Sequence, residues 1–238
     1  MKPFVMIPTY NEKDNIGNLI KSILKLRIKN LEIVAVDDNS PDGTAEIVEN
    51  MSKKNKKIHL LLRTKNKGRG SAGRDGFIYC LKKGADIIIE MDGDFSHDPK
   101  YIPLMIEELK DADLVLGSRR VKGAKEVGRS LARRTITRLA NFYIRIILGL
   151  NVKDCNSGFR CFKREVLERI EPKKLESSGP SIVQEVLFKA HLNGFKIKEV
   201  PITFVDRTKG KSKLGLPQLA AGYFMVLKLK ILNLFGFI

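Results

Sequence analysis

The sequence predicts an α/β protein: a mostly parallel, Rossmann-like sheet with helices on both faces. Two observations carry that prediction. Apolar, β-branched runs alternate with segments of helical period throughout the first half, the pattern of strand–helix repeats. The runs are also nearly continuous in their apolarity, as strands covered on both faces must be. A third observation bears on function. Polar residues collect where these runs end, and ligands of such sheets bind at the carboxyl ends of the strands.

In chain order the predicted strands are residues 4–10 (FVMIPTY), 31–38 (LEIVAVDD), 58–64 (IHLLLRT), 85–94 (ADIIIEMDGD) and 112–119 (ADLVLGSR). Between them NIGNLIKSILKL, GTAEIVENMSKK, GSAGRDGFIYCLKK and PKYIPLMIEELK place apolar residues three and four apart, which is helical spacing. Past residue 120 a helix is expected over about 129–148, with Ala132, Ile136, Leu139, Tyr143 and Ile146 on its apolar stripe. A strand and helix follow over 159–170, a helix over 181–193, and a strand ending Ile202–Arg207. The tail from 215 to 238 is apolar but interrupted by Gln218, Lys228, Lys230 and Asn233.

The chain has 238 residues, room for one large α/β domain or two small ones, and no repeat or linker divides it. Lys and Arg number 44 against 27 Asp and Glu, a net charge of +17, which asks for nucleic acid, an anionic bilayer or a phosphorylated substrate. Three cysteines without a CxxC read as reduced thiols of a cytoplasmic protein. The opening MKPFVMIPTYNE meets charge and proline at once, unlike a signal peptide. No run approaches the ~18 apolar residues of a membrane span. With aromatic residues at 7% and no basic–aromatic stacking motif, nucleic acid is not expected as a partner.

Asp92-Gly93-Asp94 ends an apolar strand, whose alternation puts both carboxylates on one side. Two hard oxygen donors suit Mg²⁺ or Mn²⁺, which take their other ligands from phosphates and water. Asp37 and Asp38 end the second strand. Ser40 or Asp42 can cap the next helix, so Asp37 is open to either a turn or a ligand role, while Asp38 is expected to bind a base or ribose. Asn66-Lys67-Gly68-Arg69-Gly70 precedes a helix whose free N–H groups could hold a phosphate. Neither a Walker loop nor a GxGxxG follows a strand, which excludes the usual nucleotide hydrolases and nicotinamide enzymes. Residues 119–145 carry nine Arg or Lys and one acid, Glu126, so an anionic partner is expected there. Arg129, Arg133 and Thr137 share one helical face and Arg134 and Arg138 a neighbouring row. Arg207 to Lys213 form a second basic cluster. Of the histidines only His97, beside the acidic pair, is placed to touch a site.

These stretches resemble the inverting glycosyltransferases of family 2 with the GT-A fold, and within them the polyprenyl-phosphate glycosyltransferases of the dolichol-phosphate mannose synthase kind. The resemblance is carried by Ile7–Glu12, Val36–Thr44, Met91–His97, Gly117–Arg119, Asn156–Arg160, Glu199–Ile202 and Phe204–Leu214, in the family's order. It implies a GT-A domain over 1–214, with a nucleotide-sugar half (1–119) and an acceptor half (120–214), then a C-terminal amphipathic interfacial helix over 215–238. It puts Pro8, Tyr10, Glu12, Asp37 or Asp38, Gly68, Arg69, Gly70 and Asp92 around the nucleotide sugar. Arg207 and Lys213 would clamp phosphates. Asp92, Asp94 and Ser96 would surround the Mg²⁺ or Mn²⁺; the family's usual residues after the second Asp differ from Phe95-Ser96. Asp94, Arg119, Arg133 and Thr137 would carry catalysis, the last three meeting the acceptor phosphate.

The reaction implied is transfer of mannose from GDP-mannose to a polyprenyl (dolichyl) phosphate with inversion; UDP-glucose or another nucleotide sugar is the alternative donor. A phosphate monoester with a second pKa of about 6 is largely dianionic at neutral pH and needs no general base. Enzymes of this fold that glycosylate sugars tend to carry Glu-Asp on the later helix, where this chain has Gln184-Glu185. The acceptor's lipid implies peripheral work at the cytoplasmic face of a membrane. In the tail Leu219, Tyr223, Val226, Leu227 and Ile231 fall at helical spacing with Lys228 and Lys230 beside them, which suits either an interfacial helix or one packed on the domain. The apolar end Leu234–Ile238 would also suit the start of a membrane segment in a longer chain.

Overall fold

A computed structural model describes residues 1–206 and 216–236 of the chain, with side chains described outside 216–220. Its elements are β1 (Pro3–Thr9), α1 (Lys13–Leu24), β2 (Glu32–Asp37), α2 (Thr44–Lys54), β3 (Ile58–Leu62), α3 (Arg69–Lys82), β4 (Ile87–Glu90), α4 (Ile102–Glu108) and β5 (Leu114–Ser118). These are followed by β6 (Lys125–Val127), α5 (Leu131–Leu148), β7 (Arg160–Lys163), α6 (Arg164–Ile170), α7 (Ile182–Leu192), β8 (Ile197–Pro201), β9 (Thr203–Val205) and α8 (Leu216–Leu234).

One sheet in the order β3-β2-β1-β4-β7-β5-β8 organises the domain. All its pairings are parallel except those of β7, which runs antiparallel between β4 and β5. The fold is therefore the expected α/β GT-A architecture, and the second half of the chain supplies two strands to the same sheet. Successive residues of the central strands enter opposite cores. Phe4 and Met6 face one side with Val34, Val36 and Ile88, under α3, α6 and α7. Val5 and Ile7 face the other with Ile33, Ala35 and Ile89, under α1, α2 and α4. Each such buried Val, Ile, Met or Phe side chain contributes about 1.5–3 kcal/mol relative to exposure. Gly76 lets α3 lie close on β1, since a Cβ there would come within 2.8 Å of Met6.

Two local expectations are corrected, and the packing of α5 sets a direction that the sequence left open. The fourth strand ends at Glu90 rather than 94, so Asp92 and Asp94 lie in a bend and strand alternation does not orient them. The strand ending at Arg207 is instead two: β8 in the main sheet, and β9, which pairs with β6 as a parallel ribbon. Most of the apolar stripe of α5 faces outward, with Tyr143 turned toward the domain. Leu139 and Ile146 are more than 60% exposed and Ile136 half exposed, while Asn141, Ile144 and Leu148 face the domain. Helix α8 packs beside α5, with Val226 and Leu229 buried and the Tyr143 and Tyr223 rings 5.0 Å apart. Its outer side shows Phe224, Leu227, Ile231 and Leu234. The side chain of Leu219 lies outside the described residues. Among the described residues no helix is long and apolar enough to cross a membrane.

Candidate active site

The carboxyl ends of β1, β2, β4 and β5 open on one edge of the sheet, as the polar strand ends predicted. Turns there run through Asn11, Asn39 and Phe95, all at positive φ (56°, 55° and 61°). For a bulky residue such as Phe95 that conformation is an outlier, and its place between Asp94 and Ser96 marks the bend as held by its surroundings. The holders are visible. Ser96 N–H donates to Asp94 Oδ1 at 3.0 Å, Asp92 N–H donates to His97 Nδ1 at 3.3 Å, and the Ser96 carbonyl accepts from Val205 N–H at 3.3 Å. His97 is buried, stacked on Phe159 with ring centroids 5.1 Å apart, and edge-on to Phe204. Burial lowers its pKa against the pull of Asp92 and Asp94, so the ring is a neutral acceptor that fixes the bend.

Asp92 and Asp94 thus come together around His97, at the open end of the sheet. Among the described residues no group of three His, Cys, Asp or Glu could enclose an ion. A pair of carboxylates with no third such side chain fits Mg²⁺ or Mn²⁺ completed by diphosphate and water, and not a closed site for a softer metal. Ser96 is almost fully buried and contributes its amide to Asp94.

At the end of β1, Pro8 is half-buried, Tyr10 is exposed and Glu12 opens α1. At the end of β2 the two carboxylates are drawn inward. Asp37 accepts the Thr9 hydroxyl at 2.9 Å, the Ser40 N–H at 2.8 Å and the Ser40 hydroxyl at 2.7 Å, which is the turn role. Asp38 pairs with Arg63 and accepts Gly68 N–H at 2.7 Å. Arg63 also donates to Asp75 at 2.8 Å and to the Asn66 carbonyl at 2.7 Å. Asp38 therefore shapes the 66–70 loop.

That loop does not present a phosphate nest. The N–H groups of Gly70 and Ser71 are both taken by the Ser178 carbonyl, at 2.8 and 3.3 Å. A Cβ on Gly70 would meet the Ser177 carbonyl oxygen at 2.2 Å, so the backbones are in contact and no anion fits between them. Arg69 instead reaches Glu90 at 2.8 Å and Asp92 at 3.5 Å.

The basic stretch is far less uncompensated than its sequence suggests, because acids distant in sequence fold onto it. Arg119 is held by Asp154 through two bonds of 2.8 and 2.7 Å from its side chain and one of 2.9 Å from its N–H. Burial opposes both charges, but each stabilises the other, raising the pKa of Arg119 and lowering that of Asp154. Glu126 takes Arg129 at 2.8 Å and Arg120 at 3.1 Å, and its carbonyl accepts Arg134 at 2.7 Å. Arg133 pairs with Asp206 at 2.9 Å. Arg119 and Arg129 both lie over the Phe204 ring, at 5.2 and 5.7 Å from its centroid. Thr137 accepts from Arg129 at 3.2 Å, so Arg129, Arg133 and Thr137 share the face their spacing predicted. Arg207 and Lys213 lie outside the described residues.

On α7, Glu185 is buried and turned to structure. It accepts Glu176 N–H at 3.0 Å and Ser177 N–H at 2.9 Å. Gln184 donates to Asn156, which donates to Asn141 of α5 at 2.9 Å. The three cysteines are free and buried; burial raises their pKa, that of Cys155 to about 12, so they are poor nucleophiles. Sequence reasoning missed Glu90, Arg160, Arg63 and the ring of Phe204. A glutamate closing the apolar run IIIE was the available signal for the first.

A mostly parallel sheet with an acidic bend at its open edge is the arrangement of a GT-A glycosyltransferase. The chain belongs to glycosyl transferase family 2, whose model matches residues 4–171. It is 38% identical over 215 residues to an undecaprenyl-phosphate mannosyltransferase of Micrococcus luteus, covering 90% of this chain and 88% of that one. It is 34% identical over 227 residues to a polyprenol monophosphomannose synthase of Mycolicibacterium smegmatis, covering 94% and 85%. In fold it is similar to glucosyl-3-phosphoglycerate synthase of Mycobacterium tuberculosis, solved with Mn²⁺ and UDP, at a TM-score of 0.66 and 19% identity over 98% of this chain and 79% of that one.

Proposed function

We propose that this chain transfers mannose from GDP-mannose to a polyprenyl phosphate, working peripherally on the cytoplasmic face of a membrane. The names of the two relatives, matched over most of their length, support the sugar and the acceptor class. The structural observation that carries the chemistry is Glu185. The one carboxylate on the helix where sugar-accepting relatives of this fold carry their base is buried on the N–H groups of Glu176 and Ser177. A phosphate dianion attacks the anomeric carbon without such a base, as the nucleoside diphosphate leaves.

Asp92 and Asp94 are the residues to hold Mg²⁺ or Mn²⁺, with Ser96 the further candidate. The ion would neutralise charge developing on the leaving diphosphate. The protein's own part is to align two anions that repel each other. Arg119, locked by Asp154, provides a fixed cation at the end of β5. Arg133 and Thr137 face the acceptor from α5, and an incoming phosphate competes with Asp206 for Arg133. Tyr10, Pro8 and Glu12 border the nucleotide, and Arg207 and Lys213 are the remaining candidates for phosphate contacts. The outward stripes of the paired helices α5 and α8, flanked by Arg138 and Lys230, suit an interface with anionic lipid, which would bring the acceptor's phosphate to α5. The test is a donor screen against a short polyprenyl phosphate with Mn²⁺ or Mg²⁺. GDP-mannose is expected to give lipid-linked mannose, lost in Asp94→Ala. Product from UDP-glucose alone would overturn the donor.

A further inference from the structure

Directly beneath the acidic bend, four charged side chains form a line from the middle of the sheet to its open edge. Glu90, the last residue of β4, stands in register opposite Arg160 of antiparallel β7. Both are fully buried. Arg160 Nε donates to Glu90 Oε2 at 2.8 Å, its Nη2 contacts the same oxygen, and its Nη1 donates to the Val183 carbonyl at 3.1 Å. The other oxygen of Glu90 is in ionic contact with Arg69 Nη1 at 2.8 Å, and Arg69 Nη2 continues to Asp92 at 3.5 Å. Side-chain exposure rises along the line, from 0% at Arg160 and Glu90 to 23% at Arg69 and 39% at Asp92. Two glycines leave room for it. A Cβ on Gly73 would sit 3.3 Å from Arg69 Nη1 and 3.6 Å from Glu90, and one on Gly158 would sit 3.3 Å from Asp92 Oδ2.

A buried ion pair is a poor way to stabilise a fold, because desolvation offsets its attraction and apolar residues of equal volume serve as well or better. The pair therefore calls for another use, and among the described residues its ionic contacts lead through Arg69 to Asp92. We propose that Glu90 and Arg160 are positioning residues: they hold Arg69 as a strut that fixes the carboxylate of Asp92 for the metal–diphosphate complex. Arg160, pinned by a carbonyl and a sheet register, sets Glu90. Glu90 in turn keeps Arg69 from collapsing fully onto Asp92 and neutralising it. Supports one shell removed from a metal ligand change affinity or activity about 10–100-fold when lost.

The inference rests on the reading of Asp92 and Asp94 as the metal–diphosphate site, and the experiment separates the two. Mn²⁺ is titrated into the full chain in the presence of GDP, with free Mn²⁺ read by electron paramagnetic resonance and folding by thermal melt. Glu90→Gln alone strands two arginines and could unfold the chain, so the core is altered as the charge-balanced pair Glu90→Gln/Arg160→Met. Arg69→Met leaves the buried pair closed. Each change is expected to weaken Mn²⁺ binding about tenfold, and the triple variant no further than Arg69→Met alone, because the core acts only through the strut. Native Mn²⁺ affinity in folded Arg69→Met overturns the inference, as do losses that multiply to about a hundredfold in the triple variant. Asp94→Ala is the control. If it too binds Mn²⁺ normally, the site reading has failed; if it loses Mn²⁺ while Arg69→Met does not, only the strut has.

Discussion

Replacing Glu185 with Gln separates a structural carboxylate from a catalytic base. Both Glu185 oxygens accept backbone N–H groups, from Glu176 and Ser177, and Lys189 lies 3.4 Å from one of them. Gln retains one acceptor and turns an NH₂ toward the other N–H, so one charge-assisted bond is lost and a buried donor is left unmet. At about 1.5–3 kcal/mol for such a bond, the variant should lose about 2–3 kcal/mol of stability. For a domain of this size each kcal/mol lowers the melting temperature by about 2–4 °C, which gives a fall of about 4–12 °C. Turnover on polyprenyl phosphate, measured well below that temperature from pH 6 to 8, should keep its pH profile and most of its rate. A lost general base would instead cost about 10²–10⁴-fold and remove a limb of the profile. That result, with the fold intact, would refute attack by the phosphate without a protein base.

Arg133→Ala should raise the acceptor KM about tenfold (the loss of about 1.4 kcal/mol) with donor affinity and melting temperature nearly unchanged, since Arg133 is half exposed in its pair with Asp206; reversed effects on donor and acceptor would mean the subsites are exchanged. Asp154→Asn should cost about 3 kcal/mol near pH 7 by stranding buried Arg119. Arg119 holds the Asp154 pKa below its usual value of 3.8. Its contribution is therefore complete above about pH 4 and lost as pH falls through the folded pKa, so melts between pH 5 and pH 2 should converge with those of the variant; parallel curves would contradict this. Phe142→Glu/Phe224→Glu, both on exposed positions, should abolish co-sedimentation with anionic liposomes without lowering the melting temperature. Unchanged sedimentation would leave the basic surface alone as the contact.

The parts of the fold set by local pattern were legible. β1 to β5 and the helices between them follow from alternating periods, and the acidic and polar strand ends were expected on one edge of the sheet, where they lie. What sequence could not show depends on partners far along the chain. The cations of residues 119–145 looked unopposed because Asp154 and Asp206, which neutralise Arg119 and Arg133, come from other elements. The 66–70 loop looked like a phosphate cradle until the Ser178 carbonyl occupied its N–H groups. Arg160 read as one charge in a mixed run, since nothing local reveals that β7 slots antiparallel beside Glu90. The outward stripe of α5 was readable as a stripe, but its direction was set by the packing of Asn141, Ile144 and Leu148.

The central claim, that a lipid phosphate attacks without a protein base, is tested most directly by pairing acceptors that differ only in that group. With GDP-mannose and Mn²⁺, the same short chain is supplied as polyprenyl phosphate or as free polyprenol, and labelled lipid is quantified. The account predicts a mannosyl phosphate product from the first and no transfer to the second. Comparable transfer to the free alcohol would contradict it, because a hydroxyl requires a base that neither Glu185 nor the arginines around Phe204 provide.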